Sequence, residues 1–133
     1  MVKDFPLNTP GFNPFCDLIG LKFTSVKDGI STCKVKITRQ LLNPHGFVHG
    51  GVLYTMADTG MGAALYTLID PQEICATVQL DIHYFEALSS GLLKCTTRIV
   101  RRTRRLATLE SEISNNRKLV ARAIGTYYIM RLA

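Results

Sequence analysis

One stretch constrains the fold more than any other: a loop over residues 43–51, rich in proline and glycine, that runs directly into a long apolar segment. The loop residues indicate a sharp chain reversal, and the segment after them has the pattern of a helix that stops before Asp70-Pro71. Apolar residues cover most of the circumference of this helix, namely Leu53, Met56, Ala57, Ala64, Leu65 and Leu68. A helix that is apolar all round is buried, so the segment predicts a central core helix. At about 19 residues or fewer, and with Asp58 in its middle, it suits a protein core better than a bilayer.

Short runs with strand character on both sides of the helix indicate a sheet. Asn13-Pro14 predicts the start of a short helix that ends at Gly20, and Asp28-Gly29 predicts the turn of a hairpin between residues 21–27 and 30–38. Four further strands are predicted over residues 74–84, 92–101, 106–114 and 118–130, with turns at 89–91, 103–104 and 115–116. Consecutive strands with short turns imply an antiparallel sheet that curls around the helix. The prediction is an α+β protein with one domain over residues 1–133 and an N-terminal arm over residues 1–11.

Composition and charge narrow the class of protein. The chain is 47% hydrophobic and 20% charged, as in ordinary soluble globular proteins, and residues 1–6 contain no apolar run of a signal peptide. The four cysteines are far apart and form no C-x-x-C pair, which predicts reduced thiols of a cytoplasmic protein rather than disulfides or zinc ligands. The net charge of +6 indicates an anionic partner, either a nucleotide-bearing small molecule or a nucleic acid.

The spacing Asn43-x5-His49-Gly50-Gly51-x6-Asp58 resembles the hotdog-fold acyl-CoA thioesterases, specifically the branch of the phenylacetic acid degradation proteins. The resemblance covers nearly the whole chain, and the aspartate nine residues after the histidine makes the motif specific. It implies an antiparallel sheet wrapped around one long central helix, in homodimers that often pair into homotetramers. It also implies hydrolysis of acyl-CoA or aryl-acyl-CoA to a carboxylic acid and CoA, with no cofactor beyond the CoA of the substrate.

The resemblance further implies a role for each motif residue. The Gly50 backbone N–H would polarise the thioester carbonyl, and Asn43 and His49 would shape that end of the site. Asp58 would act as nucleophile or general base across the dimer interface, and Thr77 would help to hold the attacking water or carboxylate.

The chemistry of these residues agrees with the implied roles. A helix N-terminus supplies unpaired N–H groups and a positive dipole end for an oxyanion, and glycines at Gly50 and Gly51 let a substrate approach the backbone closely. Asp58 shares its predicted helix face with Gly51, Thr55 and Gly62, which leaves a groove over the carboxylate.

Two further groups of residues are candidates for substrate contacts. Phe12, Phe15, Met61 and Tyr66 are apolar or aromatic candidates for the wall of an acyl pocket. Arg101, Arg102, Arg104 and Arg105 surround one predicted turn and suit the phosphates of CoA, although a solvated turn is the common meaning of such a cluster. Because no stacking aromatics alternate with these arginines, nucleic acid is the weaker partner.

Several alternatives stay open at this point. Asp58 could instead be a structural carboxylate in an ion pair with an arginine. Asn43 could serve only to form the turn, and Thr77 could be an ordinary strand residue. His45 and His49 are four residues apart, but Pro44, Gly46 and Gly50 argue against a helix there, so no metal site is expected. His83 and Tyr84 are predicted to serve packing.

Two other functions compete with hydrolysis. A hotdog hydratase or dehydratase acting on acyl thioesters needs a histidine and an acid poised at the α-carbon, and no clear pair of this kind is present. A non-catalytic acyl-CoA-binding protein would bind CoA thioesters without turnover. The chain has no G-x-S-x-G, which argues against a serine hydrolase.

Overall fold

The computed structural model describes residues 6–132, and within them the helices and strands follow the predicted order. Two α-helices are α1, Pro14–Ile19, and α2, Gly50–Tyr66, and a single 3-10 turn covers Arg39–Leu41. The strands are β1 (Lys22–Lys27), β2 (Ile30–Lys36), β3 (Glu73–Tyr84), β4 (Leu92–Arg102), β5 (Leu106–Asn115) and β6 (Lys118–Arg131). They form one six-stranded antiparallel sheet in the order β1-β2-β4-β5-β6-β3. The prediction of an α+β fold built on one long helix is confirmed.

The local signals before α2 act as predicted. The Asn13 side chain accepts a hydrogen bond from the Cys16 N–H at 3.2 Å, and Gly20 ends α1 in the left-handed region at φ 75°. Asp28 and Gly29 have φ values of 52° and 78°, which is the backbone of a two-residue hairpin turn with both central residues left-handed.

The predicted arm over residues 1–11 lies partly outside the described residues, as does most of the segment 1–6 that lacks the pattern of a signal peptide. The second half of the arm is fixed to the sheet by Asn8. The Asn8 side chain donates to the Phe23 carbonyl at 2.9 Å and accepts from the Phe23 N–H at 2.7 Å.

The sheet covers only one side of α2, which corrects the expectation of a helix buried all round. The buried side is formed by Val52, Leu53, Met56, Ala57, Gly60, Met61, Ala63, Ala64 and Leu65. The opposite side is an open stripe of exposed or half-buried residues, namely Gly51, Tyr54, Thr55, Asp58, Thr59, Gly62 and Tyr66. Leu68 is 41% exposed because the helix ends at Tyr66 and Leu68 lies in the turn after it. One layer of sheet faces one side of a helix, so the other side is left for a different contact.

Register shifts interrupt four of the five strand pairings, and one of these shifts lies beside the open stripe. The register between β3 and β6 shifts between Thr77 and Gln79, which marks a β-bulge beside the open stripe. The turn between β5 and β6 is formed by Asn116 and Arg117, with φ values of 49° and 67°, one residue later than predicted. No helix within residues 6–132 is long and apolar enough to cross a membrane.

Candidate active site

The start of α2 combines a side-chain cap with a free backbone donor in the described part of the chain. His49 is the N-cap residue, and its Nδ1 accepts a hydrogen bond from the Gly51 N–H at 2.8 Å. A Cβ at Gly51 would lie 2.9 Å from the same Nδ1, so this cap requires glycine. Within residues 6–132 no group accepts a hydrogen bond from the Gly50 N–H. Because the first N–H groups of a helix lie at its positive end, Gly50 offers a donor to an anionic or polarised oxygen.

The histidine cap also limits the chemistry that His49 can do. Its Nδ1 lone pair is used by the Gly51 N–H, so the neutral ring carries its proton on Nε2. His49 therefore orients the helix start, as a histidine that pins the turn, and its Nδ1 is not free to act as a base.

The loop before α2 is organised by Asn43. Its Oδ1 accepts hydrogen bonds from the His45 N–H at 2.9 Å and the Phe47 N–H at 3.1 Å. Its backbone N–H donates to the Phe47 carbonyl at 2.6 Å. This arrangement is that of a turn former, the structural alternative for Asn43, and it fixes the path of the chain into His49.

Tyr84 contributes more than packing to the same end of the helix. Its hydroxyl donates to the Gly50 carbonyl at 2.8 Å, and a Cβ at Gly50 would lie 3.1 Å from the tyrosine ring. Burial, the larger cause, and the neighbouring Tyr54 raise the pKa of the Tyr84 phenol, so it stays a donor at neutral pH. The tyrosine ring thus covers the outer side of Gly50.

The carboxylate of Asp58 lies eight residues further along the helix and is held by two strands. Thr77 Oγ1 donates to Asp58 Oδ1 at 2.6 Å. The Tyr127 hydroxyl donates to the same Oδ1 in a short hydrogen bond and lies 2.6 Å from the Asp58 backbone carbonyl. Thr77 and Tyr127 are direct partners across β3 and β6, so the sheet register brings both hydroxyls to one oxygen.

Tyr127 is the site residue that sequence reasoning missed. It is 2% exposed, and burial, followed by its hydrogen bond to Asp58, raises the pKa of its phenol well above the usual range. A signal was present: Ala121, Ala123, Gly125 and Tyr127 alternate along β6 on its inner face. A buried tyrosine among small residues needs a partner for its hydroxyl, and the aspartate in α2 was the candidate.

The open stripe of α2 is divided into two clefts. A cleft of about 290 Å³ lies over Asp58 and is lined by residues that include Phe12, Gly62, Tyr66, Cys75, Thr77 and Tyr127. A cleft of about 430 Å³ lies at the helix start and is lined by residues that include Phe15, Leu41, Leu42, His49, Gly51 and Thr55. The structure therefore places Phe15 and Gly51 beside His49, and Phe12 and Tyr66 beside Asp58.

The expectation that Met61 contacts the substrate is corrected by its position. Its side chain is completely buried, and its Sδ would lie 2.5 Å from a Cβ at Gly125. Met61 points to the sheet rather than to the open stripe, as do Ala57, Ala64 and Leu65 one turn before and after it.

The predicted arginine cluster is split by the structure. Arg102, Arg104 and Arg105 line a cleft of about 320 Å³ together with Arg131, Asp70 and Glu73, while Arg101 is exposed and lines neither this cleft nor the two on the open stripe. Arg102 Nη1 donates to the Leu68 carbonyl at 2.7 Å, which ties the β4–β5 turn to the end of α2. Four guanidinium groups face two carboxylates in this cleft, so its charge is positive. Arg131, from the end of β6, was not singled out by sequence.

Among residues 6–132 there is no group of three or more histidine, cysteine, aspartate or glutamate side chains that could hold a metal ion.

Comparison with known proteins points to one family. The family model described as "Thioesterase superfamily" matches residues 45–121, which is more than half of the chain. A relative from Saccharolobus solfataricus, whose name assigns it provisionally to the esterases, is 28% identical over 116 residues, spanning 86% of this chain and 77% of that protein. The 1,4-dihydroxy-2-naphthoyl-CoA hydrolase of Listeria monocytogenes is 24% identical over 84 residues, spanning 63% of this chain and 68% of that enzyme. The solved structure of a variant of the phenylacetic acid degradation protein from Thermus thermophilus is 29% identical, with a TM-score of 0.81 over 87% of this chain and 98% of that chain.

Proposed function

Because this chain belongs to the thioesterase superfamily and has its hotdog fold, we propose that it hydrolyses acyl-CoA or aryl-acyl-CoA to a carboxylic acid and free CoA. The observation that carries this proposal is the pairing, on one helix, of the Gly50 N–H, which has no acceptor within residues 6–132, with a held carboxylate at Asp58. The similarity to a naphthoyl-CoA hydrolase supports a CoA thioester as the substrate. The positive cleft of Arg102, Arg104, Arg105 and Arg131 suits the phosphates of CoA.

Each half of the proposed site supplies one requirement of thioester hydrolysis. The Gly50 N–H, at the positive end of α2, donates to the thioester carbonyl oxygen and stabilises the oxyanion. As a general base, Asp58 takes a proton from water while the hydroxide adds to the carbonyl carbon, and the C–S bond then breaks to release the CoA thiolate, which is protonated. As a nucleophile, Asp58 adds to that carbon itself, and the C–S bond breaks to release the CoA thiolate, which is protonated. Water then hydrolyses the resulting mixed anhydride to the carboxylic acid and the free Asp58 carboxylate. Water is the second substrate in both routes, and we propose no cofactor.

The proposed site needs two chains, in a homodimer. Gly50 and Asp58 are separated by about 12 Å of helix rise, whereas donor and attacking group must both lie within about 3.5 Å of one carbonyl group. Asp58 lines one cleft of the open stripe, whereas the chain neighbours of Gly50, His49 and Gly51, line the other. A two-fold dimer would bring Asp58 of one subunit to Gly50 of the other. β3 supports such a dimer because it is a twelve-residue edge strand with exposed apolar side chains, Ile74 at 39% and Val78 at 62%.

Pairing of two such dimers into a homotetramer follows from the family resemblance alone. We also propose a cytoplasmic location, because the four cysteines, all within residues 6–132, are thiols rather than disulfides.

A panel of acyl-CoA and aryl-acyl-CoA substrates tests the proposed activity through the release of free CoA thiol. We expect release with at least one class of thioester from the wild type and little from Asp58→Asn. Tight CoA binding without release would favour the non-catalytic binding protein. A change in absorbance at a substrate double bond without thiol release would favour the hydratase.

Subunit complementation tests the shared site. Asp58→Asn removes the carboxylate, and Gly50→Pro removes the N–H at a helix position that tolerates proline. In a shared site, each mixed dimer holds one intact site out of two, so equal mixing of the inactive parents restores about a quarter of wild-type activity. Verified mixed dimers that stay inactive, from two well-folded parents, would mean that each chain holds its own site.

A further inference from the structure

The hydrogen bonds at Asp58 are unequal between its two carboxylate oxygens. Oδ1 accepts from both Thr77 and Tyr127, whereas no donor within residues 6–132 bonds to Oδ2. None of the ion pairs in the same part of the chain includes Asp58. A structural carboxylate is usually paired with a cation or bonded at both oxygens, so this one-sided arrangement needs another explanation.

We propose that Tyr127 is a positioning residue of the reaction: with Thr77 it fixes Asp58 Oδ1, so that Oδ2 is the oxygen presented to water or to the thioester carbon. This proposal rests on the proposed function, since it assigns Asp58 the reacting role.

The surroundings of the two donors explain why Tyr127 is the main one. Tyr127 is 2% exposed and fixed in the core, whereas Thr77 is exposed in the single chain and adjoins the β-bulge. The raised pKa of the Tyr127 phenol, caused first by burial and then by the Asp58 hydrogen bond, keeps it a neutral donor throughout the ordinary pH range. A rigid buried donor restricts rotation of the carboxylate, and preorganisation of this kind raises kcat rather than affinity.

The position of the phenol also ties Asp58 to its own helix backbone. The Tyr127 hydroxyl lies 2.6 Å from the Asp58 carbonyl as well as close to Oδ1, so its proton is shared between backbone and side chain of one residue. This contact fixes the backbone of Asp58 as well as its carboxylate. Thr77 alone would leave the carboxylate free to turn about a single hydrogen bond.

Tyr127→Phe removes the hydroxyl and keeps the buried ring. We expect kcat to fall roughly tenfold or more, the scale of a lost hydrogen bond to a charged group, with KM for acyl-CoA within twofold and the fold retained. Tyr128→Phe is the matched control, because Tyr128 is the next residue on the outer face of β6 at 36% exposure. It should leave kcat and KM unchanged.

Thr77→Val and Thr77→Ser make the test independent of the stability of the tyrosine variant. Since both donors serve the same oxygen, Thr77→Val should lower kcat without raising KM, and Thr77→Ser should restore it. Should Tyr127→Phe fail to fold, this pair decides, and a wild-type kcat in Thr77→Val overturns the proposal.

Asp58→Asn, assayed in parallel, separates the two proposals. If Asp58→Asn is inactive while a folded Tyr127→Phe keeps wild-type kcat, the positioning role is overturned and the proposed function stands. If Asp58→Asn keeps its activity, the proposed catalytic role itself fails. A loss in Tyr127→Phe that lies in KM alone, or that parallels its thermal stability, also overturns the positioning role.

Discussion

Two polar clusters lie on opposite sides of α2, and they differ in what they leave unpaired. On the side of the sheet, Ser31 Oγ donates to the Gly60 carbonyl at 2.7 Å, and the hydroxyls of Thr97 and Ser111 share a hydrogen bond at 2.6 Å. These three hydroxyl side chains are completely buried. On the open side, Asp58 is half-buried and only one of its carboxylate oxygens is bonded within the described chain.

The inner cluster holds polar groups that stabilise the fold, and the open cluster holds polar groups that can react. No buried side-chain nitrogen or oxygen within residues 6–132 lacks a hydrogen-bond partner, so the inner cluster is complete. A complete buried network specifies how the helix docks on the sheet. The open cluster is incomplete at Oδ2, which is the arrangement that a catalytic carboxylate requires. Variants of the inner cluster should therefore change stability, and variants of the open cluster should change turnover.

Asp58→Asn should produce the largest effect, a fall in kcat of at least about 100-fold, the usual scale for a positioned base or nucleophile. Its thermal stability should be equal to that of the wild type or higher, because a partly desolvated carboxylate without a cation is unfavourable to the folded state. Steady-state kinetics and thermal unfolding measure the two quantities. Wild-type turnover together with a lowered Tm would show that Asp58 stabilises the fold rather than taking part in the reaction.

Substitution by alanine should change the free energy of unfolding in opposite directions at two glycines on the two sides of α2. A Cβ at Gly60 would lie 2.7 Å from Thr97 Oγ1, whereas a Cβ at Gly62 meets nothing within 4 Å. Alanine favours a helix over glycine by about 1 kcal/mol, so Gly62→Ala should keep or raise the free energy of unfolding. Gly60→Ala should lower it by about 1–3 kcal/mol, because overpacking separates the helix from the sheet. Denaturant titration gives both values, and equal losses would show that a second surface covers the open stripe.

Alkaline pH should reveal the buried phenol of Tyr127. Burial and the Asp58 hydrogen bond raise the pKa of this phenol in the folded state, so the folded protein holds the proton more tightly than the unfolded chain. Its contribution to stability is complete below the unfolded pKa of about 10 and falls above it, by up to about 1.4 kcal/mol for each pH unit. The Tm should therefore fall more steeply between pH 9 and pH 11.5 in the wild type than in Tyr127→Phe. Parallel curves would contradict the raised pKa, since all other titrating groups are shared.

The smallest effect is expected outside both clusters, at the arginine cleft. Arg104→Gln with Arg105→Gln should raise KM for acyl-CoA several-fold and leave kcat within about twofold, because contacts far from the thioester bind substrate and transition state alike. The double variant Arg98→Gln with Arg117→Gln removes the same charge from the outer face of the sheet and should leave KM unchanged. Raising the salt concentration should increase KM of the wild type more than that of the Arg104 and Arg105 variant. An unchanged KM in the Arg104 and Arg105 variant would identify the arginine cluster as a solvated turn.

The sequence by itself determined the features that depend on neighbouring residues. The start of α2 after the glycine-rich loop, the cap at Asn13 and the Asp28-Gly29 turn follow from short-range preferences of glycine, proline and capping side chains, and these are confirmed. The end of α2 was predicted too late, since the helix stops at Tyr66 and Leu68 lies in the turn after it. The spacing of Gly50 and Asp58 on one helix, with His49 just before it, could also be predicted from the sequence, because a helix fixes the positions of its own residues.

Only the tertiary structure decided what meets Asp58 on the open side of α2. Tyr127 reaches an aspartate 69 residues earlier in the chain, and this contact depends on the register of β6 against β3 and on the bulge after Thr77. Met61 is buried in the core although the apolar pattern allowed it to line a pocket, since the pattern does not tell which apolar residues face the sheet. Strand register is set by long-range packing, and a shift of one residue in β6 would turn Tyr127 to the outer face of the sheet.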